Sequence, residues 1–523
     1  MAGPEPGIRQ GISLKKPPRR RWRRLLLVPA ALWLGLAVWH THKPLPEGVH
    51  VEGALVATPG SSLQFLADVT AADAAGNRVQ QQTIHAATLE LVRNARDFLV
   101  LDYFLFNGQG GPRGPLVYED GLAPVSTALA DALRELKQAQ PTLPVLLLVD
   151  PINDYYRGTA PPALAALEAL GVDVAVTRLD GLRDSNPVYS ATWRMLFAWW
   201  LDSGGVGAFP NLLDGAGPRL KPGALLRLPN FKANHRKVVL TGDGAGSLVG
   251  IVSSGNPHDA SSAHSNVALR VEGEALRELL GSELSIARQA GASEAVLDRY
   301  RASPAEASAT GSSAVEVADD VAGEDGPAQV GILTEGAIRV VLLQELDAAG
   351  AGDAIDLAQF YLSDQGVLDS LLAAARRGAA VRLLLDPNRD AFGFSKSGIP
   401  NRPLASALAR RASGTIALRW YRTHGEQFHS KFAMVRSGGR LWFTLGSANF
   451  TRRNIADYNL EANVQVECAT GCAVALDAAS WFERLWSNAG GIVYSDEASR
   501  WAEDSHGRYL RARVMEATGL STF

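Results

Sequence analysis

The fold of this chain is decided by two stretches of sequence, NHRKVVLTGD at residues 234–243 and FHSKFAMVRSGG at residues 428–439. Each stretch contains His-x-Lys followed by a run of mostly apolar residues, which predicts a buried strand. Side chains two positions apart on a strand point to the same face. Each histidine can therefore address the same ligand as the lysine that follows it.

The sequence around these stretches repeats the same order of elements, which indicates an internal repeat. Each copy begins with a helix and a buried strand (87–106 and 349–363), followed by a strand that ends in Asp-Pro (144–158 and 380–393). A Ser-x-Asn turn follows the histidine strand in both copies. Continuous Val/Leu strands that alternate with helices predict an α/β fold with mostly parallel central sheets flanked by helices.

The repeat sets the predicted domains, a first unit over residues 50–302 and a second over residues 331–523. Between them, residues 303–330 are rich in Ala, Ser and Gly and contain acids but no base, which predicts a flexible or disordered linker. The first unit also has an insertion, residues 189–205, with several aromatic rings. These rings either bury against the sheet or form a lip that contacts lipid acyl chains or a bilayer interface.

The N-terminus has an uneven charge. Residues 1–24 carry eight basic groups and one acid, and no charge occurs in residues 25–42. An uncharged stretch of this length can just cross a hydrocarbon core about 30 Å thick. We therefore predict a basic cytoplasmic tail (1–24), a transmembrane signal anchor (25–42), and a single-pass membrane protein whose catalytic body is periplasmic or extracytoplasmic. A cleaved signal peptide and a buried helix stay open as alternatives.

Composition narrows the function classes. The chain has 523 residues, 46% of them hydrophobic, which is typical of a globular protein of two domains. Its formal net charge of −3 includes the basic tail, so the rest of the chain is acidic and poorly suited to general binding of nucleic acid. The two cysteines, Cys468 and Cys472, exclude a disulfide scaffold and a Cys-rich zinc site, and they are either bridged or free.

The repeated motifs supply two imidazoles and two ammonium groups, which suit a phosphodiester. In this scheme one imidazole attacks phosphorus to form a phosphohistidine, and the other protonates the leaving oxygen. Lysines and Asn amides stabilise the charge on the non-bridging oxygens, so neither a metal nor a cofactor is expected. The candidate catalytic residues are His235, Lys237, His429 and Lys431, and the candidate phosphate-binding residues are Ser254, Asn256, Ser447 and Asn449.

With H-x-K followed by Ser-x-Asn in both halves, and with GSANFTRR in the second half as an especially typical form of the G-[SG]-x-N motif, the chain resembles the phospholipase D superfamily over roughly residues 80–490. This resemblance implies two α/β units about a pseudo-twofold axis, with the active site between them. It also implies that His235 is the nucleophile and His429 the acid, although the reverse assignment stays open. The family orients each histidine with a residue downstream, which would pair Glu461 with His429 and Asn266 with His235.

The acidic position of the first motif departs from the family pattern in each copy. The family motif reads H-x-K-x4-D, but the first copy has Gly242 at the acidic position, with Asp243 one place later, and the second copy has Arg436. The resemblance implies that this Asp is a structural, hydrogen-bonding residue. These departures put the catalytic activity in question without excluding it.

Three functions remain open. The first is a membrane-anchored enzyme that acts on phospholipids, either a phospholipase D hydrolase or a cardiolipin-synthase-like phosphatidyltransferase. The second is a metal-independent nuclease of the same superfamily, and the third is a catalytically weak membrane scaffold. The nuclease needs a basic groove, for which the candidates are Lys221, Arg227, Lys232, Arg236, Arg452 and Arg453. The sequence predicts neither the lipid head group nor the oligomeric state.

Overall fold

A computed structural model of the chain describes residues 3, 19–73, 75–108, 122–159, 161–211, 213–215, 217–301, 327–391 and 394–523. Its helices are α1 Arg19–His42, α2 Ile84–Arg93, α3 Val125–Ala139, α4 Pro162–Ala169, α5 Pro187–Leu196, α6 Pro222–Arg227, α7 Arg277–Ala290, α8 Glu294–Arg301, α9 Gly336–Ala348, α10 Gln365–Arg376, α11 Asn401–Arg411, α12 Arg452–Ile455, α13 Ala473–Ser487 and α14 His506–Thr518.

The strands in the first half are β1 Val56–Thr58, β2 Leu63–Ala72, β3 Arg78–Gln81, β4 Leu99–Tyr103, β5 Val145–Val149, β6 Asp173–Val176, β7 Val206–Phe209, β8 Lys237–Gly242, β9 Leu248–Ser253 and β10 Asn266–Glu272. Those in the second half are β11 Ala328–Thr334, β12 Ala354–Gln359, β13 Ala380–Leu385, β14 Asp390–Ala391, β15 Phe394–Ser395, β16 Ile416–Tyr421, β17 Lys431–Ser437, β18 Arg440–Gly446, β19 Ala462–Ala469 and β20 Ser495–Glu497.

The strands form two large sheets with the same internal order. The first sheet runs β3-β2-β10-β9-β8-β4-β5-β6, and the second runs β1-β11-β19-β18-β17-β12-β13-β16-β20. The order from β2 to β6 in the first sheet corresponds strand by strand to the order from β11 to β16 in the second. The mixed α/β architecture and its internal repeat are therefore those that the sequence predicted.

The prediction of mostly parallel sheets was wrong. Only β4–β5, β5–β6, β12–β13 and β13–β16 pair in parallel, and the other neighbours in the two sheets are antiparallel. Short turns join β8 to β9 and β17 to β18, and such turns can connect only antiparallel strands. The continuous apolar runs arise because both faces of each sheet are covered, and they do not specify strand direction.

The two sheets share one core. A single apolar cluster contains Val252 and Val267 from the first sheet together with Phe443 and Val464 from the second, as well as residues of α7 and α13. A second cluster packs α9, α10 and α11 on the second sheet, and a third packs α2, α3 and α4 on the first. The sheets thus pack against each other, with helices on their outer faces.

The domain boundaries differ slightly from the predicted ones. Most of the predicted linker (303–330) lies outside the described residues, and β11 begins at Ala328, before the predicted start of the second unit at residue 331. The short strand β1 comes from the first unit but pairs with β11 in the second sheet. Cys468 and Cys472 form a disulfide, which decides between the two alternatives for these residues.

The predicted transmembrane anchor was wrong, and with it the predicted single-pass localisation. In the part of the chain that the structure describes, no helix combines the length and apolar character needed to cross a membrane. The last turns of α1 instead pack on the protein body. Trp33 Nε1 donates a hydrogen bond to Thr192 Oγ1 on α5 (3.0 Å), Asp184 N donates to the carbonyl of His40 (2.8 Å), and Ala37 is buried.

The rings of the aromatic insertion differ in burial. Helix α5 covers only its first part and ends at Leu196. Trp193 is buried, whereas Trp199 is 76% exposed and Trp200 is 55% exposed. One ring therefore packs in the protein and two lie on the surface.

Candidate active site

The two repeated histidines line one cavity of about 510 Å³ between the two halves. The backbone of each histidine is anchored to the opposite half. His235 N donates to the carbonyl of Leu460, and His429 N donates to the carbonyl of Ser265, both at 2.8 Å. The two contacts are reciprocal, as expected for two copies related by a pseudo-twofold axis.

These backbone contacts determine which side chain orients which histidine. Leu460 and Ser265 immediately precede Glu461 and Asn266 in the sequence. His235 Nδ1 lies 3.0 Å from Glu461 Oε2, and His429 Nδ1 lies 3.2 Å from Asn266 Oδ1. The expected pairing within each half, Glu461 with His429 and Asn266 with His235, was therefore wrong, because each orienting residue crosses to the other half.

In each Ser-x-Asn turn, the serine and the asparagine have different surroundings. Ser447 Oγ donates to Glu461 and accepts from Ala462 N, while Ser254 Oγ donates to Asn266 Oδ1 (3.2 Å). Neither serine lines the cavity. Asn256 and Asn449 do line it. Of the four predicted phosphate-binding side chains, only these two amides face the cavity.

A carboxylate at the end of a strand fixes the residue before each histidine. Asp150 Oδ2 accepts a hydrogen bond from Asn234 N (2.7 Å), and Asp386 Oδ2 accepts one from Phe428 N (2.8 Å). These are the aspartates of the two Asp-Pro sequences, which sequence analysis used only to mark strand ends. Their occurrence at the same place in both copies was the signal that could have identified this role.

Each lysine packs behind its histidine in the same way. Lys237 Nζ donates to the His235 carbonyl (2.6 Å) and lies 5.3 Å from the centre of the Phe104 ring. Lys431 Nζ donates to the His429 carbonyl (2.7 Å) and lies 5.4 Å from the Phe360 ring. Each phenylalanine ring also lies 5.0 Å from the adjacent histidine ring.

Burial favours the neutral forms of the cationic groups. It lowers the pKa of His235 to about 4, although Glu461 opposes this shift. Burial and Lys431 hold the pKa of His429 well below its ordinary value. Burial also lowers the pKa of Lys237 to about 7 and that of Lys431 well below its ordinary value, with Lys237 adding to the latter shift.

Glu461 is the carboxylate that stays ionised in this cluster. Burial raises its pKa, but His235, Lys237 and Ser447 together overcome this effect and hold it below the ordinary value. An anion that enters the cavity would raise the pKa values of the surrounding lysines and histidines, because an opposite charge favours their protonated forms.

Two further histidines, His258 and His264, lie between β9 and β10 and also line the cavity. The His264 ring lies 5.9 Å from that of His429, and its Nδ1 accepts a hydrogen bond from Gln427 N (3.2 Å). Burial lowers the pKa of His264 to about 3. These residues have no counterpart in the second copy, so the repeat gave no signal for them. His424, in the segment before β17, is exposed.

The departures from the family motif lie away from the cavity. Asp243 Oδ1 accepts hydrogen bonds from Ala245 N (2.7 Å) and Ser247 N (3.0 Å) in an exposed turn. Arg436 pairs with Asp356 at 2.6 Å on neighbouring strands. Both residues have local structural partners, and neither faces the histidines.

Three of the six basic residues that were candidates for a nucleic-acid groove are engaged inside the protein. Arg236 is fully buried and pairs with Glu283 (3.1 Å) and Glu335 (2.7 Å). Arg453 is buried and donates to the carbonyl of Ser521 (2.6 Å). Lys232 is buried and pairs with Asp184 at 2.7 Å. These three side chains are therefore not part of an exposed basic surface.

The second half of the chain matches a known family. Residues 342–486 match a family model described as cardiolipin synthase, PLD-like domain. The matched segment runs from α9 to α13 and includes His429, Lys431 and Glu461. No curated protein sequence matches the chain.

Solved structures also resemble the chain. The phosphatidylserine synthase of Haemophilus influenzae Rd KW20 is 12% identical, with 93% of this chain and 96% of that chain covered at a TM-score of 0.49. The phospholipase D family member Nuc of Salmonella typhimurium is 20% identical, with 32% of this chain and 97% of that chain covered at a TM-score of 0.26.

Proposed function

We propose that this chain is a phospholipase D superfamily enzyme, a phosphodiesterase or phosphatidyltransferase that acts on phospholipids through a phosphohistidine intermediate. One observation carries the proposal. Two histidines from the two halves line a single cavity, and each has its Nδ1 atom held by a side chain of the opposite half.

His235 is the nucleophile in this proposal. Because Glu461 accepts the hydrogen bond at Nδ1, the ring carries its proton on that atom, and Nε2 keeps a free electron pair. Nε2 attacks phosphorus, a P–N bond forms, and the P–O bond to the leaving alcohol breaks. The ionised Glu461 then stabilises the positive charge that develops on the ring.

His429 is the acid and then the base. Its Nδ1 lies against the neutral amide oxygen of Asn266, so no carboxylate holds its second proton. A phosphodiester in the cavity raises the pKa of His429, which can then protonate the leaving oxygen. In the second step His429 takes a proton from water or from an acceptor alcohol, whose oxygen replaces His235 on phosphorus.

The remaining polar groups stabilise the negative charge of the transition state. The amides of Asn256 and Asn449 line the cavity and are placed to donate to the non-bridging oxygens. Lys237 and Lys431 add positive charge directly behind the two histidines. These groups supply the electrostatic part of the catalysis.

The surroundings of the cavity support a lipid substrate. Its wall includes apolar side chains from both halves, among them Phe104, Leu213, Phe231 and Phe360. A phospholipid offers acyl chains to such a wall, whereas a nucleic acid requires an exposed basic surface. We propose that the exposed Trp199 and Trp200 contact lipid as well.

A turnover assay on the purified full-length chain tests this function. Vesicles of phosphatidylglycerol and of phosphatidylethanolamine are incubated without added metal, and phosphatidic acid and cardiolipin are quantified. The proposal expects product from the wild type and none from His235→Ala or His429→Ala, with His424→Ala as the exposed control that keeps the activity. Absence of wild-type turnover on both lipids would contradict the proposal, and cleavage of single-stranded DNA would replace it with the nuclease.

A further inference from the structure

A second cavity of about 300 Å³ lies at the carboxyl ends of β5 and β6, next to the cavity that holds the histidines. Tyr156 and Lys232 line both cavities. The end of α1 and helix α5 contribute His40 and Trp193 to its wall. A molecule in the second cavity would therefore lie beside the site of phosphoryl transfer.

The wall of this second cavity is strongly cationic. Among the described residues, one acidic residue, Asp180, lines this wall. Five basic residues line it as well: Arg157, Arg178, Arg194, Arg227 and Lys232. Asp184 lies buried behind the wall and pairs with Arg194 and with Lys232. Arg157, Arg178 and Arg227 form no salt bridge with any residue that the structure describes. Asp154 does not line the cavity but interacts with the charges of Arg157 and Arg227, so the positive charge of the wall exceeds the nearby negative charge without being wholly free of it.

Two buried nitrogen atoms of the wall have no hydrogen-bond partner among the described residues. They are His40 Nδ1 and Arg227 Nε. Buried polar atoms in proteins nearly always have a partner, so an unpaired one requires an explanation such as a ligand or a bound water. Arg227 also lies 5.8 Å from the Trp193 ring, which holds its guanidinium group at the wall.

The backbone at one side of this cavity has an uncommon conformation. Tyr155, Tyr156 and Arg157 have φ values of 53°, 57° and 68°. Three consecutive non-glycine residues in the left-handed region are energetically unfavourable, and such segments concentrate at ligand sites. Here the conformation directs Tyr156 and Arg157 to the cavity wall.

We propose that this second cavity binds the phosphate group of a second phospholipid, which accepts the phosphatidyl group from His235. The proposal rests on the proposed function and specifies the acceptor. Arginine suits this ligand because its planar guanidinium group forms paired hydrogen bonds with phosphate oxygens. The exposed Trp199 and Trp200 follow α5, one wall of the cavity, and offer an apolar surface for acyl chains.

The transfer step balances with the groups present. The acceptor hydroxyl gives its proton to Nε2 of His429 as its oxygen bonds to phosphorus. The P–N bond breaks, and its electron pair returns to Nε2 of His235. Holding the acceptor by its own phosphate keeps this hydroxyl near the intermediate and raises its effective concentration over that of water.

Direct binding to the full-length protein tests the cavity independently of turnover. Inorganic phosphate and glycerol 3-phosphate are titrated by calorimetry, and we expect two sites in the wild type, one for each cavity. Arg227→Gln and Arg157→Gln should each weaken one site about tenfold or more and leave the other unchanged. Arg134→Gln, an exposed residue on α3, is the matched control. Equal binding by all variants would overturn the proposal.

A second experiment distinguishes a lipid acceptor from free phosphate. With vesicles of phosphatidylglycerol, Arg227→Gln should lower the ratio of transferred to hydrolysed product about tenfold, while Arg134→Gln leaves it unchanged. Weakened phosphate binding with an unchanged ratio would show a site for free phosphate and overturn the acceptor role. If the wild type turns over no lipid, the proposed function fails, and the titration alone still decides whether the cavity binds phosphate.

Discussion

In the first half of the chain the histidine before β8 faces a carboxylate, whereas in the second half the histidine before β17 faces an amide. The scaffold around them is otherwise repeated. A backbone carbonyl of the other half accepts a hydrogen bond from the backbone N–H of each histidine, and an aspartate at a strand end accepts one from the backbone N–H of the residue before it. Duplication thus supplied two equivalent positions. The difference between Glu461 and Asn266 makes them chemically unequal, and unequal histidines can divide the roles of nucleophile and acid.

The strongest test of this inequality separates the two histidines with an ester whose leaving group needs no proton, such as a nitrophenyl phosphodiester. His235→Ala should reduce turnover about 10⁴-fold, because no phosphohistidine can form. His429→Ala should still release one equivalent of nitrophenol rapidly and accumulate the intermediate, which mass spectrometry detects at His235. A burst from His235→Ala instead would reverse the assignment of nucleophile and acid.

A second prediction removes the carboxylate and keeps its shape. Glu461→Gln should lower kcat about 10²-fold to 10³-fold, because the charge that develops on His235 loses its counterion. Ser447 and Asn454 also contact Glu461, so the fold around it must be checked by thermal unfolding. The matched control is Glu467→Gln on the outer part of β19. Unchanged kcat in Glu461→Gln would mean that the inequality of the two histidines has no catalytic consequence.

A third prediction makes the two positions alike. Asn266→Asp places a carboxylate against His429 and should raise its pKa by about one unit or more. Because the acid must be protonated, and its pKa is low in the empty cavity, activity should persist to higher pH in this variant. The pH dependence of kcat measures the shift of the alkaline limb. A shift toward lower pH would contradict the role of His429 as the acid.

A fourth prediction concerns the charge of the catalytic cavity as a whole. The pKa of Lys237, which lies buried behind His235, is about 7, so at pH 8 this lysine is mostly neutral while the cavity is empty. A bound phosphate raises that pKa, and binding should therefore take up as much as about one proton at pH 8. Calorimetry in two buffers of different ionisation enthalpy measures the uptake. Lys237→Gln should reduce it, whereas Lys221→Gln, which is half-exposed, should leave it unchanged.

Local features of the site could be predicted from the sequence, whereas its cross-half contacts could not. His-x-Lys predicted the positions of both histidines that line the cavity, because the side-chain alternation of a strand is a local property. The partner of His235 lies 226 residues away, and a repeat does not specify whether equivalent groups pair within a copy or between copies. The direction of the strands was missed for a related reason, since burial on both faces removes the alternation that marks antiparallel strands.

The smallest effects are expected at the strand ends, where the two halves are most alike. Asp150→Ala and Asp386→Ala each remove an acceptor from a buried backbone N–H and should lower the free energy of unfolding by about 1–3 kcal/mol. Asp150→Asn and Asp386→Asn keep an acceptor oxygen and should cost less than the alanine variants. Denaturant unfolding measures all four. The two aspartates accept hydrogen bonds from equivalent residues at similar distances. A large loss of stability from the substitution in one half, with none from that in the other, would therefore mean that only one of these hydrogen bonds supports its histidine.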